Sequence, residues 1–401
     1  MEVRSIKLRI SKKEKQMKKI IAIFIFVLLV LYPSFGYAEE NMAEDEILTS
    51  QKNSIPISQF IEEAKKYTSE VFEDTDYNDL LNSAIKGDID NKALGKSLLQ
   101  VLGKETIGSI KTIASIMIVI IIHSILKSIS EGLENKGIAQ ISYYVQYILI
   151  VTLIMGNFAE VITMVKDSVS NLVSFSNTLV PILITLVLTT GNIISANLLQ
   201  PILLFMITFI GNLILNVIIP IVLASTALGI VSKISQHAQL DKLSKFFKSG
   251  VVWILGVVLT LFVSLVSLEG SLSSSVDGIT AKTAKAAVSS FIPVVGKILG
   301  DAVDTIIGCT SILKNAVGIV GVIVIIGICI TPIIKLTLLM MTYYIGSAIC
   351  EPIADEKIVK LLTQMGDTFK VLLAILCSLS VMLIIGTTLV MKISNSGLMY
   401  R

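Results

Sequence analysis

Charge and histidine are scarce in this 401-residue chain. Asp, Glu, Lys and Arg make up only 16% of it, against about 25% in a soluble domain. Hydrophobic residues reach 53%, and the mean hydropathy is +0.82. A water-exposed surface of ordinary composition is therefore excluded. With two histidines, His123 and His237, a His-rich metal centre is excluded as well. The four cysteines, Cys309, Cys329, Cys350 and Cys377, form no C-x-x-C and sit in or beside apolar segments. They read as small hydrophobes, so neither a disulfide nor a metal site is expected. No G-x-x-x-x-G-K-[ST] loop is present, which excludes an ATPase of that kind. G-x-S-x-G and H-E-x-x-H are missing too, and no nucleophile–base set is visible. No catalytic residue, no cofactor and no enzyme activity is expected. A net charge of +3 gives no basic excess for nucleic acid.

What the chain has in abundance is long uncharged sequence. At about 20 residues per helical span, the count is about nine. They are 107–126, 137–159, three within 168–232, then 250–268, 315–334, 336–350 and 371–391. The run 168–232 holds no charged residue, and its breaks are expected near Asn192 and Asn216. Within hydrocarbon each backbone N–H and C=O must be paired in its own segment, which a helix achieves. A barrel would need alternating segments of about ten residues. Runs such as Ile116-Met117-Ile118-Val119-Ile120 do not alternate. The fold class is all-α, a polytopic helical membrane protein.

The N-terminus has its own pattern. Residues 1–38 hold eight Lys/Arg, an apolar core at 20–31 and the small-residue end Gly36-Tyr37-Ala38. This is the pattern of a secretory signal peptide, with cleavage expected after Ala38. Residues 39–106 follow as a polar, acidic extracytoplasmic segment. In it Ile57, Phe60, Ile61, Ala64 and Tyr67, and later Leu80, Leu81, Ala84 and Ile85, recur at the helical period. Short amphipathic helices with a solvated charged face are expected there.

Residues 107–268 read as a membrane domain of about six spans, and 315–401 as one of about three with a short cytoplasmic tail. Lys233, Lys242, Lys245 and Lys248 face a single Asp241 in the loop 233–250, which places that loop in the cytoplasm. Counting spans from it puts 39–106, 269–314 and 351–370 outside and the C-terminus inside.

The segment 269–314 is too polar for a plain span and too apolar for an ordinary loop. Pro293 divides it into two candidate helices. Lys282 and Lys285 lie in the first, among alanines. In the second, Lys297, Asp301 and Asp304 share one helical face, and Gly296 and Gly300 form a G-x-x-x-G that permits close helix approach. The segment is either an amphipathic hairpin on the outer leaflet or a re-entrant hairpin lining an aqueous path. Two further polar residues stand in apolar surroundings. Lys335 reads as a snorkelling boundary residue, with a coupling role as the alternative. His123 reads as an interhelical hydrogen-bonder, with a proton relay as the alternative.

Four stretches carry a family resemblance. They are KFFKSGVVWILGVVLTLFVSLVSLEG at 245–270, DGITAKTAKAAVSSFIPVVGKILGDAVDTIIG at 277–308, TPIIKL at 331–336 and EPIAD at 351–355. They resemble the stage III sporulation protein AE family, whose overall layout also matches. The resemblance implies a multi-pass protein of the mother-cell membrane around the forespore. There it would be a membrane core subunit of a channel or secretion-like complex linking the two cells. The implied partners are other stage III sporulation membrane proteins, the lipid bilayer and a separate cytoplasmic ATPase, stage III sporulation protein AA. Two other functions fit the residues alone. One is a self-sufficient secondary transporter binding an ion or substrate at Lys297, Asp301 and Asp304. The other is a structural membrane scaffold.

Overall fold

The computed structural model describes residues 56–68, 76–88, 136–234, 240–291, 295–352 and 354–393, with Val71 and scattered positions between 95 and 125. For 136–143, 269–291 and 295–304 it describes the backbone. The expected signal peptide, the connection at Pro293 and His123 lie outside the described residues.

All regular structure among the described residues is helical. Two short helices come first, α1 (Ile57–Thr68) and α2 (Tyr77–Lys86). Asp76 caps α2 by accepting from the Asn78 N–H at 2.8 Å. Gly87, at φ +73°, ends it, which lets the Asp88 N–H reach the Ser83 carbonyl at 2.9 Å. Then come α3 (Lys136–Thr189), α4 (Ile193–Leu213), a π-helical turn at Ile214–Ile218, α5 (Ile219–Ile234), α6 (Asp241–Phe291), α7 (Val295–Cys350) and α8 (Glu356–Lys392).

Among the described residues, five helices are long and apolar enough to cross a membrane, by length and composition: Tyr147–Thr189, Ile193–Lys233, Asp241–Leu268, Thr305–Cys350 and Glu356–Lys392. Within 136–392 this corrects the finer division expected from the sequence; the expected span 107–126 lies largely outside the described residues. The break near Asn192 is real: Gly191 adopts φ +84° and its N–H bonds the Leu188 carbonyl at 3.0 Å. The break near Asn216 is not a reversal. Leu213 and Ile219 on either side are right-handed helical, so the irregularity is absorbed as a π turn inside one rod. The separate spans at 315–334 and 336–350 are one helix running through Pro332 and Lys335. A proline removes one hydrogen bond but does not turn a chain around where neighbouring helices support it.

The segment 269–314 is likewise helical on both sides of Pro293. Its arms continue α6 and α7 without a break.

Side-chain contacts fix the level of each rod against its neighbours. At one end, the Tyr147 hydroxyl donates to the Ile230 carbonyl at 3.4 Å, and Lys233 pairs with Asp241. Further along, Phe369 packs on Phe158 and Tyr343, with ring centroids 6.2 and 5.2 Å away. Beyond that, an added Cβ on Gly211 would meet Val173, one on Gly321 would meet Leu179, and one on Gly386 would meet Phe262. At the far end, Lys314 donates to the Met391 carbonyl at 2.6 Å. One of the last carbonyls of α8 is thus satisfied by a fully buried ammonium. The α8 C-terminus therefore lies at the opposite end of the bundle from Lys233 and Asp241.

The two short helices dock on the side of this bundle. Their inward positions, Ile57, Phe60, Ala64, Tyr77, Leu81 and Ala84, are buried. The Phe60 ring lies 5.9 Å from that of Phe175 on α3, and Val71 packs against Ile330 with Ile323 and Ile334 on α7. The Thr68 and Tyr77 hydroxyls bond each other beneath the pair. Burial pushes the Tyr77 phenol above its ordinary pKa of 10.0. The sequence period thus identified both helices and, in Ile57, Phe60, Ala64, Leu81 and Ala84, part of their buried faces; Ile61, Tyr67, Leu80 and Ile85 are half-buried, and Tyr77 was not among the expected positions.

Candidate functional site

Most of the interior is apolar, as a membrane bundle requires. One region departs from this. It lies where α5, α6, α7 and α8 meet, at the level where the uncharged runs of α6 and α8 begin.

Ser225 on α5 and Ser244 on α6 are both buried, and each donates its hydroxyl to the other's backbone carbonyl at 2.7 Å. One turn further, Lys248 extends from α6 to α8. Its ammonium donates to the Thr368 hydroxyl at 2.7 Å and to the Gln364 carbonyl at 3.1 Å. Thr368 also stands 3.3 Å from the Thr226 hydroxyl of α5. The Gln364 amide donates to the Thr226 carbonyl at 3.3 Å. A Cβ on Gly229 would overlap that amide, so a larger residue there would displace the Gln364 side chain from its bond to Thr226.

On the α7 side, the Tyr344 hydroxyl donates to Asp367 at 2.6 Å, and the Ser347 and Thr363 hydroxyls are 2.7 Å apart. Asp367 also acts on Lys248 through space. The result is a polar seam with Lys248 at its centre. A buried ammonium is costly unless hydrogen-bonded; here a hydroxyl and a carbonyl satisfy it.

Chemically the seam can hold charge inside the bundle and couple four helices. Among the described residues, no group of His, Cys, Asp or Glu could hold a metal ion.

The residues singled out in the sequence fall elsewhere. Lys282 and Lys285 lie on the far part of α6, and Gly296, Lys297, Gly300, Asp301 and Asp304 on the first turns of α7. Their side chains lie outside the described residues, as does Pro293. Lys335 is placed by an ion pair: its ammonium is 2.8 Å from Glu160, joining α7 to α3.

The seam residues were missed for identifiable reasons. Lys248 belonged to a lysine-rich loop read only for orientation. Gln364, Asp367 and Thr368 fell in 351–370, read as an outer loop, whereas they belong to α8 and meet Lys248 and Thr226 on α6 and α5. The available signal was the spacing Ser244-x-x-x-Lys248 and Gln364-x-x-x-Thr368, two polar pairs each on one helical face beside an uncharged run.

The family model described as Stage III sporulation protein AE matches residues 75–394. The chain belongs to the stage III sporulation protein AE family. That match spans α2 through α8 and so includes every seam residue. A relative, "Stage III sporulation protein AE" of Bacillus subtilis (strain 168), is 26% identical over 337 residues. The alignment covers 82% of this chain and 84% of the relative. No solved structure matches. The family assignment and the apolar helices together make this a membrane protein of a sporulation context.

Proposed function

We propose that the chain is a membrane core subunit of a sporulation-specific channel or secretion-like complex linking mother cell and forespore, without catalysis of its own. The observation that carries this reading is the polar seam around Lys248, buried across four helices of an otherwise apolar bundle. Ionisable groups kept inside a membrane protein are expensive and mark pathways or coupling elements. The seam is built for helix-to-helix coupling rather than for bond chemistry.

In this reading a separate cytoplasmic ATPase supplies the energy, in keeping with the missing nucleotide motif, and other stage III sporulation membrane proteins complete the assembly. The lysine-rich end at Lys233, Lys242 and Lys245 is cytoplasmic by charge bias. Lys392 then falls on the opposite side, because 315–350 is one rod and the count of crossings drops by one.

The test is purification of the tagged full-length chain from membranes of sporulating cells, with Lys248→Met in parallel. Wild type should bring down other sporulation membrane proteins. The variant should insert and fold, since the Ser225–Ser244 and Tyr344–Asp367 contacts do not use Lys248, yet it should fail to support spore formation. Substrate-dependent flux by the chain alone in liposomes would overturn the reading in favour of a self-sufficient transporter.

A further inference from the structure

The level at which α1 and α2 dock conflicts with a bundle surrounded on all sides by lipid. Phe175, under α1, lies in the middle of the uncharged stretch 168–189 of α3. Ile323 and Ile330, under Val71, lie within the uncharged stretch 315–334 of α7. Each stretch is long enough for one crossing. Phe209 on α4 belongs to the same level, since Gly211 meets Val173, and Leu261 on α6 lies within about two helical turns of it, since Phe262 and Leu203 of α4 both approach Gly386. The helices α1 and α2 are therefore at bilayer depth.

Their outer faces nevertheless carry Glu62, Lys65, Lys66, Asp79 and Lys86, all exposed. Hydrocarbon does not accept such a surface. The charges on the long helices follow the same division. Glu160 and Asp167 are exposed on α3, and Lys335 of α7 pairs with Glu160 beside the Val71 contact. The opposite side differs: residues 193–232 and 249–268 hold no Asp, Glu, Lys or Arg. At this level they present Phe205, Phe209, Trp253, Val257, Leu261 and Leu265.

We propose that the side of the bundle covered by α1 and α2 borders water at bilayer depth, while the α4 and α6 side borders lipid. The wet side lines an aqueous path that admits hydrated polar solutes, and α1 and α2 form part of its wall. This deepens the conduit reading and rests on it for the existence of an assembly that encloses the path.

The experiment uses the full-length chain with its four cysteines replaced, reconstituted in phosphatidylcholine–phosphatidylglycerol vesicles. A fluorophore is attached to single cysteines at Glu62, Asp79, Phe209 or Leu261. In each labelled sample, resistance of 57–86 to limited proteolysis reports that α1 and α2 are docked. Labels at Phe209 and Leu261 should lose emission to lipids carrying a mid-chain nitroxide and not to iodide. Labels at Glu62 and Asp79 should show the reverse.

Nitroxide quenching at Glu62 and Asp79 would overturn the proposal, because the α1–α2 face would then meet lipid. Iodide quenching at Phe209 and Leu261 would overturn it too, because this level would lie outside the bilayer. Rapid cleavage within 57–86 in the otherwise native chain would remove the docking on which it stands. A chain that keeps the two-sided quenching pattern but brings down no partners overturns the conduit reading alone.

Discussion

At the level of Phe175 the molecule shows two outward surfaces of opposite character. One is the outer face of α1 and α2, where every exposed position is polar or charged, apart from Pro56 just before α1. The other is the face of α4 and α6, where the large exposed side chains are Phe205, Phe209, Val257, Leu261 and Leu265. Both are held by the same kind of interior, close-packed aliphatic and aromatic side chains. The difference teaches that apolar burial fixes where helices dock, whereas the solvent each outer face tolerates is set by a separate choice of residues. A membrane rod buries one stripe and offers lipid the rest; an amphipathic helix buries one stripe and offers water the rest.

The comparison breaks most severely if α1 is detached. Phe60 is fully buried against Phe175. Replacing a buried Phe by Ala typically costs about 3–5 kcal/mol. Phe60→Ala should therefore release α1 and α2 while the long helices stay folded. Limited proteolysis should then cleave within 57–86 much faster than in wild type. Unchanged protection would mean that the pair is held by something other than this contact.

A smaller effect sharpens the contrast between the two surfaces. A charge at the centre of a lipid-facing helix costs about 2.5–3.5 kcal/mol on insertion scales. Leu261→Glu should lower the yield of inserted, detergent-extractable protein accordingly. Gln59→Glu, on the exposed face of α1, should change stability by no more than about 0.5 kcal/mol, as surface substitutions usually do. Equal losses in the two variants would erase the distinction between the faces.

Much of this organisation was legible in the sequence because solvent leaves a strong imprint on composition. Uncharged runs announced helical membrane segments, and the spacing of Ile57, Phe60 and Ala64 announced the buried face of α1. The number of crossings was less legible. Nothing local distinguishes a rod that continues through Asn216 or Pro332 from two rods joined by a turn; the neighbours decide. Gly191 was different, because a positive φ is a local property that glycine advertises. The seam was hidden for a related reason. Lys248, Thr226 and Thr368 are far apart in the chain, and only the packing of α5, α6 and α8 makes them one site. The residues favoured from sequence, Lys297, Asp301 and Asp304, share a helical face, a local relation that a single segment can display.

The mildest way to test the docked side is with pH. Tyr77 is buried, and its phenol is held above the ordinary value of 10.0, first by loss of hydration; its bond to Thr68 pulls the other way and is outweighed. The docked state thus favours the neutral phenol more than the released state does. Its contribution is fully present below about pH 10 and is lost as pH rises through the raised value. Proteolysis within 57–86 should accelerate above pH 10 in wild type. Tyr77→Phe should remove that Tyr77 component of the acceleration, at a modest cost at neutral pH, because the Thr68 hydroxyl retains its bond to the Ala64 carbonyl at 2.5 Å. If the variant loses protection over the same alkaline range as wild type, then another group controls the release of α1 and α2, and the Tyr77–Thr68 contact is incidental to how the wet side is kept closed.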